Sequence, residues 1–269
     1  MKKQILEVNL HMSGKPKNEY DVLILKYKLL AKKTLGDCLR SLIVYGSYCK
    51  GVGYYIAGES DVDIVLVLTE QDNSERVQTL MKLSAINQKF ASDPLFGPLF
   101  DLTIVGEEEI GKNHLWGPEF SSLHALSAQK GKLILGEDNP FEKCVIEEKT
   151  IKEAASRIIL NSTRRLRYSL LNKTLMDENE LVYQVTDSIL SCGLAFTYFI
   201  GTGATENYVK TELPDIFKTA LSSNISDPEI IEYAHGYRLG VQHINSQEMI
   251  QRGSEFCEAS AKYILLNMD

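Results

Sequence analysis

The chain has 269 residues, of which 44% are hydrophobic and 24% are charged. This composition supplies enough apolar side chains for a core and excludes a chain that is disordered throughout. The length suits two domains of ordinary size. The formal net charge of −7 argues against tight binding to duplex DNA, because that binding depends on dense Lys and Arg contacts with phosphate.

The apolar stretches of the sequence predict neither a membrane anchor nor a signal peptide. The longest stretch, near residues 189–200, is interrupted by Ser191 and Thr197 and is too short to span a bilayer. Only a few apolar residues separate Met1 from Glu7, which is not the pattern of a secretory leader. We therefore expect a cytoplasmic protein that does not bind membranes.

The cysteines are odd in number and far apart in the sequence. No two of them form a CxxC pair, so neither a zinc site nor a disulfide framework is expected. Reduced, mostly packed thiols are the favoured interpretation for all five: Cys38, Cys49, Cys144, Cys192 and Cys257.

Strand and helix patterns alternate in the first half of the chain. A helix is predicted at 18–36 and another at 74–90, where apolar residues recur at helical spacing. Short apolar runs bounded by turn residues predict strands at 39–45, 62–68, 99–105 and 133–135. The run at 62–68 is almost continuously apolar, which is typical of a strand covered on both faces.

Strand signals largely stop after residue 145, and amphipathic helix patterns follow. They cover residues 151–171, 180–200, 206–221, 228–244 and 247–266. The predicted fold class is therefore α/β (α+β) with a mixed sheet, followed by an all-α helical bundle. The predicted domains are residues 1–143 and 144–269.

Three acidic residues stand where strands begin. Asp61 and Asp63 are two apart on one predicted strand, so their carboxylates project from the same face. Asp101 opens a later strand that could lie beside the first. Converging carboxylates repel one another unless a cation lies among them, and hard oxygen ligands of this kind suit Mg²⁺.

A glycine-serine pair precedes these acids at the end of another strand. Gly46 and Ser47 would offer a triphosphate a close backbone approach, free N–H groups and a hydroxyl. Each feature alone is common by chance, and Asp101 alone is more often a solvated residue at a strand start. The ordered conjunction of all of them favours a site for phosphoryl chemistry.

At this point the residues resemble a known family. Gly46-Ser47, Lys50-Gly51 and Ser60-Asp61-Val62-Asp63 are similar to the signature of the nucleotidyltransferase superfamily, which includes DNA polymerase beta and the antibiotic nucleotidyltransferases. Asp101 fits the third acid of that pattern, and residues 129–137 resemble the end of the family's catalytic domain. The resemblance covers roughly residues 35–140. The loop between the glycine-serine pair and the acids is longer than is usual and contains Tyr54-Tyr55-Ile56.

The resemblance implies a nucleotidyltransferase-like catalytic domain and a role for each residue of the motif. Gly46 and Ser47 would hold the β- and γ-phosphates of ATP or another nucleoside triphosphate. Two Mg²⁺ ions would be ligated by Asp61 and Asp63, and Asp101 would complete the site of the catalytic ion. Lys50 would neutralise phosphate charge, although a solvated loop lysine fits the sequence equally well.

The helical half makes the whole chain similar to aminoglycoside adenylyltransferases, which implies transfer of AMP to a hydroxyl of a small molecule. Two alternatives remain open: a nucleotidyltransferase that modifies a protein or RNA partner, and a nucleotide-binding module without catalysis. Nothing in the sequence fixes the oligomeric state or distinguishes ATP from other triphosphates.

Two further patterns lie in the helical half. Arg157, Arg164, Arg165 and Arg167 share one predicted helix. Arg157 and Arg164 are seven apart on one face and could reach the triphosphate, and a solvated basic stripe is the alternative. Arg238 and His243 resemble the Arg-x4-His element of HEPN helical domains, some of which are ribonucleases. Because chance matches to so short a pattern are common, a structural histidine is the favoured interpretation.

Overall fold

The structure is a computed structural model that describes residues 17–50, 62–91, 100–112, 120–201, 227–238, 240 and 245–268. The chain divides into two compact units, Met1–Ile146 and Glu147–Asp269. In the described residues, the first unit combines a mixed four-stranded sheet with helices, and the second is helical. At this level the predicted order of an α+β region followed by a helical region is confirmed.

The first unit contains four strands and four α-helices in its described residues. In chain order they are α1 (Lys17–Leu35), β1 (Leu39–Tyr45), α2 (Ser47–Lys50), β2 (Val62–Leu68), α3 (Asn73–Phe90), β3 (Phe100–Gly106), α4 (Ser122–Gln129) and β4 (Lys132–Leu135). The strands predicted at 39–45 and 62–68 have the predicted bounds, and the other two differ by one residue at their ends.

The strands form one sheet in the order β3-β2-β1-β4. β1 is antiparallel to both β2 and β4. β2 and β3 are parallel, and the connection between them includes α3. The chain therefore returns to the end of the sheet at which β2 began. This crossover brings the starts of β2 and β3 together at one end of the sheet.

Both faces of the sheet are covered, which explains why β2 is almost continuously apolar. Ile64 and Leu66 belong to a core cluster with α1 and α3 residues such as Tyr27 and Leu83. Val65 and Val67 of β2 face the other way. They pack against residues in and near α4: Phe120, Ala125, Ala128 and Phe141. Residue 63 therefore points to the α4 face.

The second unit contains α5 (Glu148–Leu171), α6 (Glu178–Phe199), α7 (Glu229–Arg238) and α8 (Ser246–Asn267) in its described residues. Two of these helices begin with a side-chain cap. Asp177 caps α6 by accepting a hydrogen bond from the Glu180 N–H at 2.8 Å, and Asn245 caps α8 by accepting one from the Gln247 N–H at 2.8 Å. Gly253 lets α8 approach α6 closely, since a Cβ there would lie 2.6 Å from Ile189 Cδ1.

One predicted helix is wrong in its extent. The continuous helix expected at 228–244 ends at Arg238, and Gly240 adopts a φ of +67°. Glycine is favoured at such left-handed positions and weakens helix interiors, so it stops the helix here. The helix predicted at 206–221 lies outside the described residues. No helix in the described part of the chain is long and apolar enough to cross a membrane.

Candidate functional site

The end of β1 places a glycine against an acidic side chain. Gly46 adopts a φ of +70°, and a Cβ at this position would collide with Oδ2 of Asp63. A side chain is therefore excluded both by the backbone conformation and by the carboxylate. The backbone carbonyl of Gly46 accepts a hydrogen bond from the Cys49 N–H at 3.3 Å, which begins the turn of α2 with Ser47 as its first residue.

Asp63 and Asp101 are direct register partners on the parallel strands β2 and β3. Directly paired residues of neighbouring strands project from the same face, and neighbouring strands lie about 5 Å apart. On its other side Asp63 pairs with Tyr45 of β1. Asp63 is half-buried, and Asp101 is exposed. The structure thus brings together two of the three predicted acids on the α4 face of the sheet, beside Gly46.

A serine from α4 also belongs to this site. The Gly46 N–H donates a hydrogen bond to Oγ of Ser127 at 3.2 Å, across a sequence separation of 81 residues. The expectation that the N–H groups of the glycine-serine pair are all free is therefore wrong for Gly46. Ser127 was not among the predicted site residues, and no local motif marks it.

An aromatic cluster supports the strand next to Asp63. The buried Tyr45 ring lies edge-on to the rings of Phe120 and His124, each with centroids 6.5 Å from its own. His124 Nδ1 accepts a hydrogen bond from the backbone N–H of Ser121 at 3.0 Å, which fixes the ring at the start of α4. These contacts hold the last residue of β1, and therefore Gly46, in place.

The short helix α2 is anchored to α1 by a buried tyrosine. The hydroxyl of Tyr48 donates a hydrogen bond to Oδ1 of Asp21 at 2.8 Å, and Tyr48 is only 4% exposed. Burial, followed by the interaction with Asp21, raises the pKa of the Tyr48 hydroxyl well above its ordinary value, so it stays protonated and remains a donor. This bond fixes the position of the neighbouring Ser47.

Two predicted site residues cannot be placed on this arrangement. Asp61 lies outside the described residues, and so does the side chain of Lys50, whose backbone ends α2. Within the described part of the chain, no group of three or more His, Cys, Asp or Glu side chains could hold a metal ion. Asp63 and Asp101 nevertheless supply two same-face carboxylates, the donor type that Mg²⁺ prefers.

Two of the basic residues of α5 form ion pairs within the helical unit. Arg167 forms two hydrogen bonds of 2.6 Å with the carboxylate of Glu258 on α8, and Arg165 pairs with Asp187 on α6. Arg157 and Arg164 are exposed.

Arg238, one half of the HEPN-like pattern, is also engaged within the helical unit. Its guanidinium lies 4.4 Å from the ring centroid of Tyr183 and 3.7 Å from Oδ1 of Asp187. His243, the other half, lies outside the described residues. The prediction for His243 is therefore untested.

Comparisons with known proteins identify no family for this chain. No protein-family model matches it, and no curated protein matches it at a significant level.

Proposed function

We propose that the protein is a Mg²⁺-dependent nucleotidyltransferase that transfers a nucleoside monophosphate, in the first instance AMP from ATP, to a hydroxyl of a small-molecule acceptor. The observation that carries the proposal is the register pairing of Asp63 with Asp101 beside Gly46. The order of motifs in the sequence supports it independently, because it is similar to the signature of the nucleotidyltransferase superfamily. The nucleotidyltransferase-like fold of the first unit belongs to the same proposal.

Each residue has a chemical role in this proposal. Asp63 and Asp101, together with Asp61, would hold two Mg²⁺ ions, which when bound would neutralise triphosphate charge and acidify the acceptor hydroxyl. The Ser47 hydroxyl donates to a phosphate oxygen. Gly46 has no side chain, so its backbone lies close to the Asp63 carboxylate and can also approach the phosphates. Lys50 is proposed to neutralise remaining phosphate charge.

The proposed reaction is a displacement at phosphorus. The acceptor oxygen forms a bond to the α-phosphorus, the bond to pyrophosphate breaks, and the hydroxyl proton passes to the Asp101 carboxylate. The solvent exposure of Asp101 supports this role, since an exposed carboxylate is within reach of an entering acceptor. The small-molecule acceptor rests on the similarity of the two-part organisation to aminoglycoside adenylyltransferases.

Pyrophosphate release tests the proposal. The protein is incubated with Mg²⁺, each of the four nucleoside triphosphates in turn and a panel of hydroxyl-bearing small molecules, with Asp101→Asn as the isosteric variant and Glu70→Gln as a matched charge control away from the site. We expect acceptor-dependent release that Asp101→Asn abolishes and Glu70→Gln leaves unchanged. Release that is equal in wild type and Asp101→Asn would refute the assignment.

A further inference from the structure

The end of α4 lies against the end of β1 because the strand that follows α4 pairs there. β4 begins at Lys132, which is the register partner of Val44 on β1. Gly131 connects the helix to this strand, and a Cβ at Gly131 would lie only 2.8 Å from the carbonyl oxygen of Val44. A side chain is therefore excluded at Gly131, and the last turn of α4 lies close to Gly46.

Buried residues fix the α4 backbone in this position. Ala125 and Ala128 are fully buried in the core on this face of the sheet. Asn139 is also buried, and its Nδ2 donates a hydrogen bond to the carbonyl oxygen of Ala128 at 2.8 Å. Oδ1 of Asn139 accepts one from the Phe141 N–H at 3.1 Å. Ser127 therefore projects from a backbone that packing and hydrogen bonds hold in place.

The hydroxyl of Ser127 has a donor hydrogen that the described part of the chain does not use. Oγ accepts a hydrogen bond from the Gly46 N–H at 3.2 Å, whereas Ser127 donates no hydrogen bond to any described residue. A hydroxyl can accept and donate at once, and an accepted bond polarises it and strengthens it as a donor. Gly46, Ser47 and Ser127 are each half-buried, so this end of β1 is open to solvent rather than enclosed in the core.

The strand order places Ser127 on one side of the proposed site. Tyr45 on β1 pairs with Asp63 on β2, and Asp63 pairs with Asp101 on β3. Because Ser127 bonds the residue that follows Tyr45, Asp63 lies between Ser127 and Asp101. Two strand spacings separate β1 from β3 by about 10 Å. The serine is therefore on the side of the proposed phosphate-binding residues and away from Asp101, the proposed acceptor of the proton.

We propose that Ser127 binds a phosphate oxygen of the nucleoside triphosphate, an inference that rests on the proposed function. Its hydroxyl donates to the phosphate oxygen while it accepts from the Gly46 N–H, so the backbone amide acts on the phosphate through the serine. Ser47 on α2 supplies a second hydroxyl donor. Two hydroxyl donors suit a phosphate, because hydrogen bonds to an ionised acceptor are stronger than those between neutral groups.

Calorimetric titration of the full chain in the presence of Mg²⁺ tests the proposal with two probes, ATP and inorganic tripolyphosphate, which carries the phosphates without the base or the ribose. We expect Ser127→Ala to weaken the binding of both probes about tenfold or more, as expected for a lost hydrogen bond to a charged group. Ser127→Thr keeps the hydroxyl and should retain affinity for both probes. Ser84→Ala removes an exposed serine of α3 and should leave both affinities unchanged.

A further variant separates phosphate binding from mere positioning of Gly46. Ser127→Asp keeps an acceptor for the Gly46 N–H but replaces the donor with a negative charge. If Ser127 binds phosphate, Ser127→Asp binds both probes more weakly than Ser127→Ala does. A positioning role gives the opposite order and would overturn the proposal. Comparison of Ser127→Asp with Ser127→Thr decides the same question if Ser127→Ala fails to fold.

The wild-type titrations separate this inference from the function on which it rests. Binding of the probes by the wild type, with equal binding by Ser127→Ala, would overturn the role of Ser127 and leave the proposed nucleotide site intact. Binding of neither probe by the wild type would overturn both.

Discussion

In the helical unit Arg165, Arg167 and Arg252 each pair with a carboxylate, whereas at the start of β2 and β3 two carboxylates stand side by side. Arg252 on α8 bonds both carboxylate oxygens of Asp227 at 2.7 Å. The sheet instead pairs Asp63 with Asp101, and like charges opposite one another on neighbouring strands are destabilising. In the proposed function, a Mg²⁺ ion bound between the two carboxylates would offset this cost.

The largest effect should follow from removing one of these two charges. Asp101→Asn keeps the side-chain volume, and in the proposed mechanism it removes a metal ligand and proton acceptor. We expect turnover to fall by at least about a hundredfold, the scale of a lost general base. Urea unfolding should show that the variant still folds, because asparagine keeps the volume of the side chain. Near-normal turnover would mean that these two carboxylates are not the reacting pair.

The sequence indicated the elements of this site better than their arrangement. Apolar runs located β2 and β3 to within a residue, because strand length and turn residues are local signals. The pairing of Asp63 with Asp101, 38 residues apart, remained conditional because register depends on how α3 returns the chain to the sheet. Ser127 was missed for the same reason, since its hydrogen bond to Gly46 joins residues that no local pattern connects.

Gly46→Ala should produce the next largest effect. A Cβ there collides with the carboxylate of Asp63, and the left-handed backbone adds a cost of about 1–2 kcal/mol for a non-glycine residue. Gly36→Ala is the matched control, because Gly36 has a φ of +54° but open space around its Cβ. We expect Gly46→Ala to be the more destabilising by about 1–3 kcal/mol, the usual cost of overpacking.

Urea unfolding of the two alanine variants measures this difference, and a third variant assigns its cause. In an Asp63→Ala background the carboxylate is gone, so Gly46→Ala should cost no more than Gly36→Ala does. If the excess cost of Gly46→Ala persisted in that background, the close approach of Gly46 to Asp63 would not be what requires a glycine.

The smallest effects on stability are expected from substitutions in two ion pairs of the helical unit. The Arg252 side chain is 23% exposed, and replacing it with lysine loses the paired geometry with Asp227 at a cost of about 1 kcal/mol. Arg167 is 57% exposed, so Arg167→Lys should stay within about 0.5 kcal/mol of wild type. Urea unfolding at low and high salt measures the loss of stability in both variants. Equal losses would contradict the expectation that the more exposed ion pair contributes less.

The pH dependence of the Arg167 pair has a defined sign. Arg167 lowers the pKa of Glu258 below its ordinary value. The pair therefore stabilises the fold above that ordinary value, and the contribution is lost as the pH falls through the lower folded value. The stability difference between wild type and Glu258→Gln should shrink over that acidic window. A difference that grows with falling pH would be inconsistent with this pair.

Calorimetric titration of the protein with ATP in the presence of Mg²⁺ and, separately, of EDTA tests the proposed metal-dependent nucleotide site most directly. We expect binding with Mg²⁺ and at least tenfold weaker binding in EDTA, because the carboxylates of Asp63 and Asp101 repel a triphosphate that no cation neutralises. Asp63→Asn should reduce the difference between the two conditions. Equal affinity of the wild type in Mg²⁺ and in EDTA would contradict the assignment of these acids to a metal-dependent nucleotide site.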